Sequence, residues 1–228
     1  MAALPIAVYR LGVVSYREAW AWQQARAAEV RARRASEALV VVEHASVITC
    51  GRSSDPAHLL AAPEQLEAAG IEVVDVDRGG DVTYHGPGQL VAYPILNLRK
   101  RGMYPISFVR ALERTIVAAL AELGVPSELC AGRPGVWVGK DKIASLGVHV
   151  SGGVTTHGIS INIDPDLTAF EAIVSCGLHD AGVTSVARYC GTAPGADVAK
   201  ETFISAFART FEVDLVDAER ELVMVHDN

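Results

Sequence analysis

Residues 78–90 constrain this chain more than any other stretch. They read Arg-Gly-Gly-Asp-Val-Thr-Tyr-His-Gly-Pro-Gly-Gln-Leu, four glycines in thirteen residues. Strand-like apolar runs flank them, at 71–76 and 90–95. Glycine has no Cβ, so it lets backbone approach backbone, or backbone approach a ligand, with positive φ allowed. Gly86-Pro87-Gly88-Gln89 fits a type II turn, with Pro presetting φ at the second position and Gly supplying φ > 0 at the third. Asp81, Thr83, Tyr84 and His85 crowd hydrogen-bonding side chains between the two glycine pairs. On residue types alone, the run is either a decorated hairpin or a ligand loop.

Composition narrows the classes. Hydrophobic residues make up 50% and charged residues 21% of the 228 positions, which is a globular balance. Lys+Arg 20 against Asp+Glu 27 gives a net charge of −7. No nucleic-acid partner is expected, since that needs a basic footprint. No apolar run is long enough to span a bilayer, and the first residues lack a signal-peptide pattern. No membrane association is expected, and cytoplasmic location is the default. The four cysteines, Cys50, Cys130, Cys176 and Cys190, form no Cys-x-x-Cys pair. In such a chain they are expected to be reduced.

Periodicity predicts one α/β domain of the α+β type over 1–228, with its core at about 36–215. Its mixed, largely antiparallel sheet carries packed helices. Ser15-Tyr16-Arg17-Glu18 is a capping box and opens a helix running to about residue 35. Arg31, Arg33 and Arg34 near its end are either a solvated face or a contact for an acidic partner. The apolar run 39–42 predicts a buried central strand. Phe108, Leu112, Ile116, Ala119, Leu120 and Leu123 recur at helical spacing and predict a core-facing helix. Residues 135–138 and 143–150 read as a hairpin, with Ala144, Leu146, Val148 and Val150 on one face of its second strand, and the same parity sets Lys142 with Ala144 and Leu146.

Cys50, Cys130 and Cys190 read as small buried hydrophobes. Cys176 differs: it follows Ser175, precedes Gly177 and sits where a helical turn meets a loop. Its thiol, with a pKa of about 8.5, would need a positive neighbour to act as a nucleophile. Lys140 and Lys142 in the hairpin are both candidates on residue type alone. Cys176 and His179 have a spacing seen in zinc sites, but no second close pair of ligands completes one, so no metal is expected.

The run from Arg78 to Leu90 resembles the signature of the lipoyl(octanoyl)transferases, in the biotin/lipoate protein ligase superfamily. Two further blocks are similar to that family: Lys142-Ile143-Ala144-Ser145-Leu146-Gly147, and Thr156-His157-Gly158-Ile159-Ser160-Ile161-Asn162. So are Phe170–Leu178 with Gly182–Ser185, and the early Glu43-His44 with Gly51-Arg52. Three positions depart from the family pattern: Ala45 and Ser175 stand where the family usually has Pro, and Ser160 where it has Ala.

The resemblance implies octanoyl transfer from octanoyl-acyl carrier protein to a lysine of lipoyl domains. Those domains belong to 2-oxoacid dehydrogenase complexes and to the glycine cleavage H protein. It implies Cys176 as the nucleophile, forming a thioester acyl-enzyme, and Lys142 as its proton partner. No cofactor is implied. The substrate-binding segments carried over are Arg78, Gly79, Gly80, Asp81, Val82, Thr83, Tyr84 and His85; Ser145, Leu146 and Gly147; and Gly158, Ile159 and Ser160. Gly79, Gly80, Ala144 and Gly158 are expected to line an apolar slot that Gly158→Val would narrow. Two other readings compete: an ATP-dependent lipoate- or biotin-type protein ligase, and a non-catalytic acyl-binding module.

Overall fold

A computed structural model describes residues 5–174 and 181–218. In chain order the elements are β1 (Ile6–Val14), α1 (Tyr16–Arg31), β2 (Ala38–His44), β3 (Val47–Cys50), α2 (Pro63–Ala68), β4 (Glu72–Asp75), β5 (Val82–His85) and β6 (Gln89–Ile95). There follow α3 (Pro105–Glu122), β7 (Glu128–Cys130), β8 (Arg133–Val138), β9 (Asp141–Ser151), β10 (Val154–Asn162), β11 (Gly182–Val183), α4 (Val186–Cys190), α5 (Ala196–Phe211) and β12 (Leu215–Asp217).

The large sheet runs β12-β1-β2-β6-β10-β9-β8-β7, with β11 added alongside β9; a small sheet runs β4-β3-β5. The β2–β6, β6–β10, β10–β9 and β9–β8 pairs are antiparallel, whereas β1 pairs in parallel with β2 and β12. Apolar runs set the centre: β6 is buried at every position and β2 at all but Glu43, as strands covered on both faces must be. Helix α1 covers one face with Ala19, Ala27 and Val30 against Val40, Val91 and Tyr93. Helices α3 and α5 cover the other, where Phe108, Leu112, Phe203 and Phe207 meet Leu39, Ile159 and Ile161.

Local chemistry explains the ends. Ser15 Oγ accepts the Glu18 N–H at 3.3 Å and the Glu18 carboxylate accepts the Ser15 N–H, so the capping box forms. Helix α1 then stops at Arg31, short of the expected residue 35, because Arg33 takes a positive φ of 60°. The type II turn also forms: Gly88 has φ 87° and the Gln89 N–H donates to the Gly86 carbonyl at 3.2 Å. Cys130 and Cys190 are exposed rather than buried, one on the edge strand β7 and the other at the end of α4. Small neighbours suggest burial, but β7 is the edge of the sheet and leaves Cys130 uncovered, and Cys190 ends a one-turn helix at the surface.

Candidate active site

A cavity of about 470 Å³ lies between β6, β9 and β10 of the large sheet and the loop that joins β4 to β5. That loop is sewn down on two sides. Towards the small sheet, Arg52 N–H donates to Arg78 O and Ser53 N–H to Gly80 O, at 3.0 and 3.1 Å. Towards the large sheet, Gly79 N–H donates to Val148 O at 3.0 Å. This contact requires glycine on the strand too: a Cβ at Gly147 would stand 2.8 Å from Gly79 O and 3.1 Å from Arg78 Cδ. Arg78 is buried and grips β3, with Nε donating to Thr49 Oγ1 at 3.0 Å and Nη2 to Thr49 O at 2.6 Å. A buried guanidinium without such acceptors would be strongly unfavourable.

Another part of the cavity wall is polar and aromatic. His44 Nδ1 lies 2.9 Å from Val14 O, which can only accept, so Nδ1 carries the proton and Nε2 accepts from Tyr93 O–H at 2.6 Å. By the same reasoning His157 Nε2–H donates to Asp77 at 2.7 Å, and His157 Nδ1 accepts from Tyr16 O–H at 3.1 Å. His85 lies flat against Tyr16, with ring centroids 5.9 Å apart, and bonds Gln89 at 3.2 Å. Burial pushes the His44 pKa down to about 4, and burial likewise lowers His85 and His157. Asp77 is held below the usual carboxylate range: burial pushes it up, and the hydrogen bond from His157, the two imidazoles of His157 and His149 and a backbone N–H together outweigh that. Tyr16 and Tyr93 are raised by burial, so both stay protonated donors.

Lys142 is 4% exposed and lines the cavity, with Nζ 5.4 Å from the centre of the Trp137 ring. Gly135, with φ 115°, makes room for it: a Cβ there would overlap Lys142 Cε and stand 2.7 Å from Ala144 O. The register of β8 on β9 shifts here, with Val136 opposite Ala144 and Trp137 opposite Lys142. Ile143 is the extra residue, so alternation breaks and sequence parity does not place Lys142 on the face of Ala144.

Cys176 lies outside the described residues. The chain on either side of 175–180 is fixed near the cavity. Val174 N–H donates to His58 O at 2.8 Å, and His58 Nδ1 meets Asp81 at 2.5 Å. Gly182 and Val183 pair in parallel with Asp141 and Lys142, and Thr184 N–H donates to Lys142 O at 2.9 Å.

The three segments carried over from the sequence converge. Arg78, Gly79, Gly80, Asp81, Thr83 and His85 line the cavity, as do Ser145, Leu146 and Gly147, and Gly158, Ile159 and Ser160. Val82 and Tyr84 turn away, as the period of two along β5 requires. They join Ile48, Leu66 and Phe170 in a separate cluster. Among the described residues Thr83 Oγ1 is buried without a hydrogen-bond partner. Gly158 lines the cavity, yet its missing Cβ serves the sheet: a Cβ there would overlap Ala92 O and stand 2.9 Å from Pro94 Cδ. Gly158→Val would therefore damage the β10–β6 pairing rather than narrow a slot. Tyr16, Tyr93, Gly135 and His157 are site residues that sequence reasoning passed over. His157 falls within the block 156–162 and Gly135 within the hairpin, neither read there with a role at the site; Tyr16 was absorbed into a helix start and Tyr93 into a strand.

Residues 15–212 match the family model described as lipoyl protein ligase A/B catalytic domain. The chain belongs to this family. An octanoyltransferase of Chloroflexus aggregans is 43% identical over 216 residues, covering 93% of this chain and 98% of that one. The fold is that of the lipoate and biotin protein ligases. A lipoate-protein ligase A bound with ATP superposes with a TM-score of 0.73 at 16% identity, covering 95% of this chain and 90% of that chain. The apo biotin protein ligase of Aquifex aeolicus gives 0.52 at 13% identity, covering 91% and 69%. No helix among the described residues is long and apolar enough to cross a membrane.

Proposed function

We propose that this chain, read as one catalytic domain, transfers an octanoyl group from octanoyl-acyl carrier protein to a lysine of lipoyl domains. The observation that carries the reading is Lys142. It is a nearly fully buried lysine in the wall of a cavity large enough for a medium acyl chain, beside the strand that follows the Cys176 segment. The 43% identity to a named octanoyltransferase, against 16% to the lipoate-protein ligase A, supports the same choice over a ligase.

In the proposed mechanism Cys176 and Lys142 start as thiolate and ammonium. The thiolate attacks the thioester carbonyl, and the carbon–sulfur bond to the carrier breaks. Lys142 gives its proton to the departing thiol, leaving an octanoyl-Cys176 thioester and a neutral amine. The acceptor lysine, as free amine, attacks that thioester. Its surplus proton passes to Lys142, the amide forms, and the thiolate–ammonium pair is restored. Arg78, Gly79 and Gly80 hold the acyl end against β9 and β10. The acceptors are the lipoyl domains of 2-oxoacid dehydrogenase complexes and the glycine cleavage H protein. No ATP enters the cycle.

The test is octanoyl transfer to a lipoyl domain without ATP. Wild type should transfer; Cys176→Ala should not. Lys142→Ala should slow both half-reactions and raise the thiol pKa by roughly 1–3 units, read from the pH dependence of iodoacetamide alkylation. Lys140→Ala, in the exposed turn, should leave the alkylation profile unchanged. Octanoylation that requires ATP and free octanoate would favour the ligase reading instead.

A further inference from the structure

Lys142 and His157 mark two ends of the cavity. His157 pairs with Val148 on β9, six residues on from Lys142 and about 20 Å at the rise of a strand. Ser145 and Gly147 on β9, with Ser160 and Gly158 opposite them on β10, line the cavity between. That length takes the Lys142 side chain, a thioester and an extended eight-carbon chain.

Tyr16 stands at the His157 end. It opens α1, is 2% exposed and lines the cavity. Its ring spans the gap between the two sheets. On the small-sheet side it packs with Val47 and Val74 and lies flat on His85 of β5. On the large-sheet side its hydroxyl donates to His157 at 3.1 Å, and the His44 ring of β2 meets it at 5.2 Å between centroids. The anchor is pinned as well. Gln23, two turns along α1, accepts the His157 N–H at 2.7 Å, and His157 takes a φ of 57°, which a non-glycine residue adopts rarely. Tyr93 lines the cavity differently: it rises from β6, and its hydroxyl turns back to the fully buried His44. Tyr93 belongs to the side wall, whereas Tyr16 crosses the path of a chain.

We propose that the Tyr16 ring is the end stop of the acyl slot and sets the longest chain that the site takes. This rests on the reading of the cavity as an acyl slot whose thioester lies at Lys142. A ring held from both sheets cannot yield without moving packed neighbours, so surplus methylenes overpack the slot. Val76 and Trp20 share the Tyr16 cluster, so a smaller side chain at this position opens the slot onto apolar surface.

The test measures single-turnover acylation by octanoyl- and dodecanoyl-pantetheine. Wild type should use dodecanoyl more slowly than octanoyl, by about tenfold or more. Tyr16→Leu should close most of that gap by gaining dodecanoyl, whereas Tyr16→Phe, which keeps the ring, should keep the wild-type ratio. A second measurement needs no variant. Wild type acylated by 7-azi-octanoyl-pantetheine, whose photoreactive diazirine sits on the carbon next to the last, should crosslink on illumination to Tyr16 or to the rings it touches, His85 and His157. Crosslinks elsewhere would overturn the proposal. So would a Tyr16→Leu that slows both donors by the same factor, or a Tyr16→Phe that shifts the ratio as far as Tyr16→Leu. If wild type is acylated by none of these donors, the transferase reading falls; free 7-azi-octanoate, photolysed on the protein, then tests the end stop on the same peptides.

Discussion

One part of the cavity wall is made of backbone, and another of buried polar side chains. In the first, Gly79 meets β9 at Val148 and Gly147, and Gly158 lets the Ala92 carbonyl close in on β10. In the second, Tyr93 is held by His44, which Val14 O holds in turn, His157 by Asp77, Tyr16 by His157 and His85 by Gln89. The difference lies in how each can fail. The backbone wall has no room, so any added atom forces strands apart. The polar wall tolerates its shape but depends on each ring keeping one proton in one place, so it is sensitive to acid and to loss of a single hydroxyl.

The largest expected effect is on the backbone wall. Gly158→Val should destabilise the fold by about 3 kcal/mol or more, because the obstacle is main chain and cannot rotate away. Its surviving activity should fall by the same factor for butanoyl and octanoyl donors. Urea unfolding and single-turnover acylation measure the two. A selective loss of octanoyl would restore Gly158 as a slot-narrowing position.

Acid should undo the polar wall next. His44 titrates at about 4 when folded against 6.5 when exposed, so the unfolded chain takes its proton first. Stability is whole above about pH 6.5 and is lost as pH falls towards 4, by about 3 kcal/mol from this residue. His85 and His157 shift in the same direction and steepen the loss. Unfolding midpoints across that window measure it, and His44→Gln should flatten the curve. Tyr93→Phe should act more weakly, by about 1–2 kcal/mol, since it leaves the buried His44 Nε2 without its donor. It should also raise the His44 titration midpoint, read by NMR of the imidazole.

The smallest effects belong outside both walls. Cys130→Ser and Cys190→Ser, at exposed positions, should each change stability by less than about 0.5 kcal/mol. The double variant leaves Cys50, half-buried on β3, as the one other cysteine to separate from Cys176 in labelling.

These two walls were not equally legible in the sequence. The glycine wall is local chemistry: thirteen residues show the turn, the backbone approach and the family resemblance together, and Gly88 adopts the positive φ that the turn demands. The core faces of α3 and of residues 144–150 were legible for the same reason, since periodicity is a property of one segment. The polar wall draws Tyr16 from α1, His44 from β2, His85 from β5, Tyr93 from β6 and His157 from β10, and no single segment reveals it. Two local readings needed the structure. Alternation could not carry Lys142 across the shift at Ile143, and small neighbours could not tell Cys130 that its strand was the sheet edge. Val82 and Tyr84 were readable, because the period of two along β5 separates them from Thr83 and His85.

The most direct measurement is the intact mass of the protein after mixing with octanoyl-acyl carrier protein in the absence of ATP. The account expects one added octanoyl group, mapped by peptide digestion to Cys176, absent in Cys176→Ala and discharged by a lipoyl domain. An octanoyl group on another cysteine, or none until ATP and free octanoate are supplied, would contradict it.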